Sequence, residues 1–155
     1  TSCKVNPPLR EGRDVDACRT GLADGTIDAI ATDHAPHSSI EKACEFQEAS
    51  PGIIGLELVV PVLLELVHSG SLPLARFVDA LTRAPARVIG IEAPSLRVGA
   101  VAELCLVAPE RQHTIEAAAL RSKSQNSPFV GKTYVGSVEA TLVRGRFVFQ
   151  RELGV

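Results

Sequence analysis

The chain has 155 residues, of which 45% are apolar and 22% charged, with a formal net charge of −2. This is the composition of a globular domain and excludes collagen-like and disordered chains. Sixteen basic residues against eighteen acidic ones leave no basic excess, which argues against a general nucleic-acid binder. The longest apolar run, Ile53 to Val67, contains two glutamates and a proline and is too short to span a bilayer. We therefore expect neither a nucleic-acid partner nor a membrane span.

The sequence contains no methionine and begins with Thr1, which predicts an excerpt or a processed product of a longer protein. No secretory signal is recognisable at its start. The four cysteines, Cys3, Cys18, Cys44 and Cys105, form no C-x-x-C pair. Their spacing fits neither a zinc ribbon nor a disulfide scaffold, so we expect free thiols in a reducing cytoplasm.

The segment 4–10 contains two consecutive prolines. Because proline lacks an amide hydrogen and restricts the residue before it, this segment cannot be helical. The following residues predict a helix over 15–24, with Asp14 as its N-cap and Gly25 as the residue that ends it. The first part of the chain is thus expected to run from a rigid loop into a helix.

Residues 27–32 form a short, mostly apolar run after this helix. Such a run, covered on both faces, predicts a strand of a parallel sheet. The polar residues 38–52 show no periodicity and end in Ser50-Pro51-Gly52, which predicts a long loop. Loops of this length in compact domains are often functional.

Three helices are predicted in the middle of the chain. The first covers about 55–67, where apolar residues recur at i, i+3 and i+4, and Gly70 ends it. The second covers about 73–82, with a proline in its first turn, and the third covers about 85–89. This part of the sequence therefore predicts a helical layer.

The composition changes near residues 97–99, where we place a domain boundary. Residues 102–107 have the composition of a strand. The runs 138–143 and 146–149 flank Arg144-Gly145, which predicts a β-hairpin. The first part of the chain is therefore expected to be α/β and the second mostly β.

The densest group of chemically active side chains is Asp33, His34 and His37, which follow the predicted strand 27–32. In parallel α/β architectures, ligands and catalytic groups gather outside the carboxyl ends of the strands. Carboxylate oxygen and imidazole nitrogen both bind zinc, and a carboxylate can also transfer protons. The pattern alone leaves a second interpretation open, in which Asp33 caps a turn and the histidines are solvated.

Two neighbouring segments favour a binding site. Asn6 lies at the start of the double-proline loop, where its amide can both donate and accept from a rigid backbone. Pro51 and Gly52 end the long loop, and a glycine there lets backbone amides approach a ligand closely. The three segments together predict a pocket for a polar small molecule.

Four segments of the chain resemble type I dihydroorotases, a family of metal-dependent amidohydrolases built on a (β/α)8 barrel. They are K-V-N-P-P-L-R (4–10), D-G-T-I-D-A-I-A-T-D-H-A-P-H (24–37), S-P-G-I-I-G-L-E (50–57) and R-S-K-S-Q-N-S-P-F-V-G (121–131). The resemblance runs the full length of the chain, in the family's order and spacing. It implies an α/β fold in which residues 1–97 are the last strands and helices of the barrel and residues 98–155 are part of a small β-sandwich domain.

The resemblance also implies a reaction, the zinc-dependent and reversible cyclisation of N-carbamoyl-L-aspartate to L-dihydroorotate in pyrimidine synthesis. Asp33 matches the family's final-strand aspartate, which is both a metal ligand and the general acid/base. The family's substrate contacts carry over to Asn6, to the imidazole of His37, and to the backbone at Pro51 and Gly52. A small-molecule substrate, a cytoplasmic location, a homodimer and association with aspartate carbamoyltransferase are further expectations from the family.

The chain also departs from the family pattern. It contains no His-x-His pair, and its α/β part has about 97 residues, whereas a complete barrel needs on the order of 200 or more. The chain therefore resembles the C-terminal third of the enzyme, with the other metal ligands expected upstream. Two alternatives stay open: a sister cyclic amidohydrolase such as allantoinase or dihydropyrimidinase, and a non-catalytic dihydroorotase-like scaffold of aspartate carbamoyltransferase.

Overall fold

The computed structural model describes residues 1–151, so the last four residues of the predicted β unit, 152–155, lie outside the described part. The elements in chain order are α1 (Gly12–Asp24), α2 (Ser39–Lys42), α3 (Val59–His68), α4 (Leu74–Leu81), α5 (Arg83–Ile89), β1 (Leu104–Thr114), a 3-10 turn (Ala117–Ala119), β2 (Thr133–Val143) and β3 (Arg146–Gln150). The α-helices thus precede the strands among the described residues, and the second part is mostly β as the sequence predicted, whereas the first part lacks the strand expected at 27–32. Among the described helices, none has the length and apolar character needed to cross a membrane.

Helix α1 ends where the sequence predicted but begins earlier. The carbonyl oxygen of Glu11 accepts hydrogen bonds from the amides of Asp14 and Val15 at 3.0 and 3.2 Å. Glu11 is therefore the N-cap, and the prediction of Asp14 for that role is wrong, since Asp14 lies in the first turn. Gly25 ends the helix with a φ of 89°, a left-handed conformation that glycine adopts without steric cost.

The predicted strand 27–32 forms no ladder within the described residues, so this prediction is wrong there. The amide of Ile30 instead donates to the carbonyl oxygen of Ala80 in α4, at 3.0 Å. A parallel strand needs a neighbouring strand to pair with. Next to this segment the described residues supply one isolated parallel bridge, between His34 and Ile53.

Helix α2 lies inside the predicted loop 38–52, and sequence reasoning missed it. The amide of Glu41 donates to the Ser38 hydroxyl at 3.3 Å, and the amide of Ser38 donates to the Glu41 carboxylate at 2.8 Å. These reciprocal bonds form a capping box. Its Ser-x-x-Glu signature is a recognised helix start, so the signal was present in the sequence.

Helix α3 begins at Val59, four residues after the predicted start. The amides of Gly55 and Leu56 donate to Nδ1 of His34, at 3.1 and 3.2 Å, and so are engaged outside the helix. Helix α4 agrees with the prediction to within one residue at each end, with Pro73 directly before it. Helix α5 begins two residues earlier than predicted.

The strands form an antiparallel sheet in the order β1-β2-β3. Arg144 and Gly145 link β2 to β3 with φ values of 50° and 76°, as in the type I′ turns of two-residue hairpins. The hairpin prediction is confirmed. Strands β1 and β2 are longer than predicted, and their pairing shifts register on both sides of Val107–Ala108, which marks bulges in the ladder.

Two apolar clusters form the interior, one among the helices and one between the helices and the sheet. The first contains Leu22, Leu64, Leu72, Phe77 and Ala80. The second contains Ile54, Leu58, Ile115 and Tyr134. Helix α3 and strand β2 approach so closely that a Cβ on Gly136 would overlap the side chain of Leu64. The loop 50–58 therefore lies where the helical part meets the sheet.

Candidate active site

Asp33 and His34 both follow the segment 27–32, but their side chains have different surroundings. Asp33 is exposed and has a φ of 44°, which is uncommon for a residue other than glycine. Strained backbone of this kind clusters at functional sites. The Nδ1 of His34 accepts the two amide hydrogen bonds from Gly55 and Leu56, so the neutral ring carries its proton on Nε2. His34 thus anchors the loop, while the Asp33 carboxylate faces solvent.

His37 contacts the end of the long loop directly. Its Nε2 donates to the carbonyl oxygen of Pro51 at 3.1 Å, and its Nδ1 lies 3.8 Å from the carboxylate of Glu41. Hydrogen bonds from the side chain and the amide of Ser38 hold the pKa of the Glu41 carboxyl below its usual value, and the charge of His37 acts in the same direction. Glu41 is therefore an anion beside the imidazole. The His37 side chain is 24% exposed, which leaves part of the ring accessible to a ligand.

Gly52 lies where its own loop packs closely against the loop that carries Ala35 and His37. A Cβ at this position would lie 2.7 Å from Cβ of Ala35 and 3.0 Å from Nε2 of His37. The residue also has a φ of 136°, which side-chain-bearing residues rarely adopt. Its amide donates to the carbonyl oxygen of Lys4 at 2.8 Å. Gly52 therefore joins the loop that begins the chain to the loop that carries His37.

Only three of the five predicted site residues contact one another. His37, Pro51 and Gly52 form one cluster. Asn6 is exposed and lies on the adjoining segment, two residues after Lys4, without a hydrogen bond to another described residue. The carboxylate of Asp33 likewise has no hydrogen bond or ion pair with a described residue, and Asp33 is connected to the cluster through the backbone of residues 34–37.

Two buried polar side chains hold the loop 50–54 from the inside, and sequence reasoning gave neither a role. Lys42 is 6% exposed, and its Nζ donates to the carbonyl oxygens of Ser50 and Gly52 at 2.8 and 3.1 Å. Asn126 is equally buried, and its Nδ2 also donates to the carbonyl oxygen of Gly52, at 3.1 Å. The available signal for Asn126 was its place in the segment 121–131, which matched a family motif.

The described residues do not form a complete metal site. An exposed carboxylate such as that of Asp33 can bind zinc, but a catalytic zinc site needs three protein ligands. Within residues 1–151, no group of three or more His, Cys, Asp or Glu side chains could hold an ion. Asp33 therefore fits a metal as one ligand among others that these residues do not supply.

Comparison with known proteins finds relatives along nearly the whole chain. The family model of the amidohydrolase family matches residues 5–148. Dihydroorotases of Geobacter sp. (strain M21) and Anaeromyxobacter dehalogenans (strain 2CP-C) are 47% and 49% identical to it over 150 residues, which is 97% of this chain. That alignment covers 35% of each relative, so the chain spans about a third of the length of the curated relatives it matches. The resemblance seen in the four sequence segments is confirmed.

Solved structures share the fold at lower identity. An L-hydantoinase (dihydropyrimidinase) from Arthrobacter aurescens superposes with a TM-score of 0.87 and 31% identity, over 95% of this chain and 34% of its own. A dihydropyrimidinase from Brevibacillus agri NCHU1002 gives 0.87 and 28%, over 96% of this chain and 34% of its own. The α/β arrangement with its three-stranded sheet is thus shared with enzymes of this kind.

Proposed function

The chain belongs to the amidohydrolase family, and on that premise we propose that it corresponds to the C-terminal third of a dihydroorotase, the enzyme that interconverts N-carbamoyl-L-aspartate and L-dihydroorotate. The observation that carries the proposal is the 47–49% identity to dihydroorotases across 97% of the chain. Identity to the hydantoinase and dihydropyrimidinase structures is 28–31%. A shared fold does not decide between such activities, so the higher identity favours dihydroorotase.

We assign residues 1–97 to the last strands and helices of a (β/α)8 barrel and residues 98–155 to part of a small β-sandwich domain. The order of elements supports this division, because α1–α5 lie in the first range and β1–β3 in the second. In a complete barrel, residues 27–32 would pair with neighbouring strands. Asp33 would then lie at the carboxyl end of a barrel strand, where the catalytic groups of such barrels are found.

We assign Asp33 two roles, as one metal ligand and as the general acid/base. Zinc, when bound with the help of further ligands, lowers the pKa of a water molecule toward neutrality. In ring opening, the Asp33 carboxylate accepts a proton from the attacking water and returns it to the leaving ring nitrogen. Its carboxylate is exposed and has no hydrogen bond or ion pair with a described residue, which leaves its oxygen atoms accessible for both roles.

We assign the substrate contacts to Asn6, His37, Pro51 and Gly52. N-carbamoyl-aspartate and dihydroorotate both carry a carboxylate, which an imidazole N–H binds through a charge-assisted hydrogen bond. The His37 ring is partly exposed, but its Nε2 donates to the carbonyl oxygen of Pro51 and its Nδ1 lies 3.8 Å from the Glu41 carboxylate, so the substrate carboxylate would replace one of these two partners. The exposed amide of Asn6 offers both a donor and an acceptor, which suits the ring amide and its carbonyl oxygen.

This function brings further expectations about the whole protein. Zinc as the metal, a homodimer and association with aspartate carbamoyltransferase are proposed on the same basis, as is a cytoplasmic location. The four cysteines are free, which is consistent with a reducing compartment. A zinc assay and the mass of the full-length protein in solution test the first two.

The test of function is a comparison of substrates with the full-length, zinc-loaded protein. We expect kcat/KM for dihydroorotate to exceed that for dihydrouracil and allantoin by about 10⁴-fold or more, because a site that hydrogen-bonds a substrate group rejects analogues that lack it. Dihydrouracil and allantoin lack the ring carboxylate. A preference for dihydrouracil would instead identify a dihydropyrimidinase, the activity in the names of the two solved structures compared above. A folded protein without turnover of any of the three would favour the non-catalytic scaffold.

A further inference from the structure

The side chain of Asn126 links its own segment to two loops that are distant from it in sequence, the loop that carries Ala35 and His37 and the loop that carries Gly52. Its Nδ2 donates to the carbonyl oxygens of Ala35 and Gly52, at 3.0 and 3.1 Å. Its Oδ1 accepts a hydrogen bond from the amide of His37 at 3.1 Å, and the hydroxyl of Ser124 lies 2.5 Å from the same oxygen. Both N–H donors and the oxygen of this amide are therefore engaged.

The segment that carries Asn126 is fixed at two further points. The backbone carbonyl oxygen of Asn126 accepts from the amide of Ile54 at 3.1 Å. At the start of the same segment, the backbone amides of Arg121 and Ser122 each donate to the carboxylate of Glu57 at 2.8 Å. Asn126 is thus held firmly against the loops that it contacts, rather than being a mobile side chain that bonds to them.

The chemistry of this junction requires a carboxamide. Two of its partners are carbonyl oxygens, which need donors, and the third is a backbone N–H, which needs an acceptor. Aspartate has nearly the same shape, but its ionised form offers no donor to the two carbonyl oxygens. Alanine would leave the carbonyl oxygen of Ala35 and the amide of His37 unpaired, while the carbonyl oxygen of Gly52 would keep only its bond from Lys42. Because Asn126 is 6% exposed, bulk water has little access to replace the lost bonds, and unpaired buried polar groups are costly.

We propose that Asn126 is a positioning residue that sets the spacing between the His37 loop and the Gly52 loop. The assignment of those loops to the substrate rests on the proposed function, whereas the junction itself rests on its geometry. The spacing is tight, because His37 Nε2 donates to the carbonyl oxygen of Pro51 and a Cβ on Gly52 would collide with Ala35. A misplacement of about 1 Å in groups that orient a substrate can cost about 10²-fold in rate.

The test uses the full-length, zinc-loaded protein with Asn126→Asp or Asn126→Ala. We expect kcat/KM for dihydroorotate to fall about 10- to 100-fold, mostly through a higher KM, with the metal content unchanged. Gln125→Ala is the matched control. Gln125 is the exposed neighbour, and its amide donates to the carbonyl oxygen of Ala117 at 3.3 Å, away from both loops. The Gln125→Ala variant should change kcat/KM by less than about twofold.

A double-mutant cycle separates positioning from a general loss of stability. If Asn126 acts through the His37 loop, Asn126→Ala should lower kcat/KM much less in a His37→Ala background than in the wild type, because contacting residues are energetically coupled. Equal factors in the two backgrounds would overturn the proposal. A lowered Tm with unchanged kcat/KM, measured well below that Tm, would also overturn it, because Asn126 would then be purely structural.

Hydrogen exchange separates a failure of this inference from a failure of the proposed function. In Asn126→Ala the amide of His37 loses its acceptor and should exchange faster than in the wild type, whatever the substrate. Unchanged protection of that amide would overturn the inference even if the enzyme is a dihydroorotase. If the wild type hydrolyses another cyclic amide instead, the proposed function fails, and the same variants are assayed with that substrate.

Discussion

Replacing Gly52 by alanine adds one methyl group between the two loops that we assign to the substrate. The added Cβ would lie 2.7 Å from Cβ of Ala35, whereas carbon atoms in favourable contact are about 3.5–4.0 Å apart. The loops must therefore separate by about 1 Å. Alanine would also be held at a φ of 136°, a sparsely populated conformation that costs about 1–3 kcal/mol.

Both effects act on the geometry of His37 and Pro51. With a displacement of about 1 Å, we expect kcat/KM for dihydroorotate to fall about 10²-fold. The free energy of unfolding of the full-length protein should fall by about 1–3 kcal/mol. Initial rates over a range of substrate concentrations and denaturant-induced unfolding measure the two quantities independently.

Two further variants serve as controls. Gly12→Ala adds the same methyl group in α1, where no heavy atom would lie within 4 Å of it, and should leave kcat/KM unchanged. Ala35→Gly removes the nearest atom that the new Cβ would meet, while Nε2 of His37 at 3.0 Å remains, so the double variant Ala35→Gly/Gly52→Ala should recover part of the lost activity. Gly52→Ala with wild-type kcat/KM would refute the reasoning, and a double variant no better than Gly52→Ala would refute its steric part.

Three further predictions concern the proposed site. Asp33→Asn should lower kcat by about 10²–10⁴-fold or more, because an amide cannot accept the proton; more than a tenth of wild-type kcat would contradict the assignment. His37→Ala should lower kcat/KM by about one to two decades, since a hydrogen bond to a charged group is worth about 1.5–3 kcal/mol. Metal analysis should find its zinc content unchanged, and a stoichiometric loss would make His37 a ligand. The isolated 155-residue chain should bind zinc weakly by calorimetry and turn over no cyclic amide, because its described residues offer no cluster of three ligands; turnover by it would refute the proposed division of the site.

The fold was predictable where a local signal determines the backbone. Gly25 ends α1 and Gly145 turns the hairpin, and both have the positive φ that their positions demand. Prediction failed where the local structure depends on residues that are distant in the sequence. Residues 27–32 have the composition of a strand, but a ladder needs a neighbouring strand. The amide of Gly55, at the predicted start of α3, donates to His34, which lies 21 residues earlier in the chain.

The same distinction applies to the candidate site. Asp33, His37 and Gly52 could be proposed as site residues because chemically distinctive residues stand close together in short segments, and their roles stay predictions. Asn126 could not, because its contacts reach residues 74 to 91 positions away. No periodicity or spacing within a segment indicates such a long-range contact. Its role follows from burial and from the pairing of one carboxamide with three backbone groups.

On the proposed assignment, the group that reacts is separate from the groups that hold the loops. The Asp33 carboxylate is exposed and has no hydrogen bond or ion pair with a described residue, so it is accessible to a metal and to a substrate. The loops around His37 and Gly52 are instead fixed by the buried side chains of Lys42 and Asn126. Changes to the buried pair should therefore act on substrate binding and appear in KM, whereas changes to Asp33 should act on the chemical step and appear in kcat. A loss confined to kcat in Asn126→Ala would contradict this separation, because it would place the loop geometry in the chemical step itself.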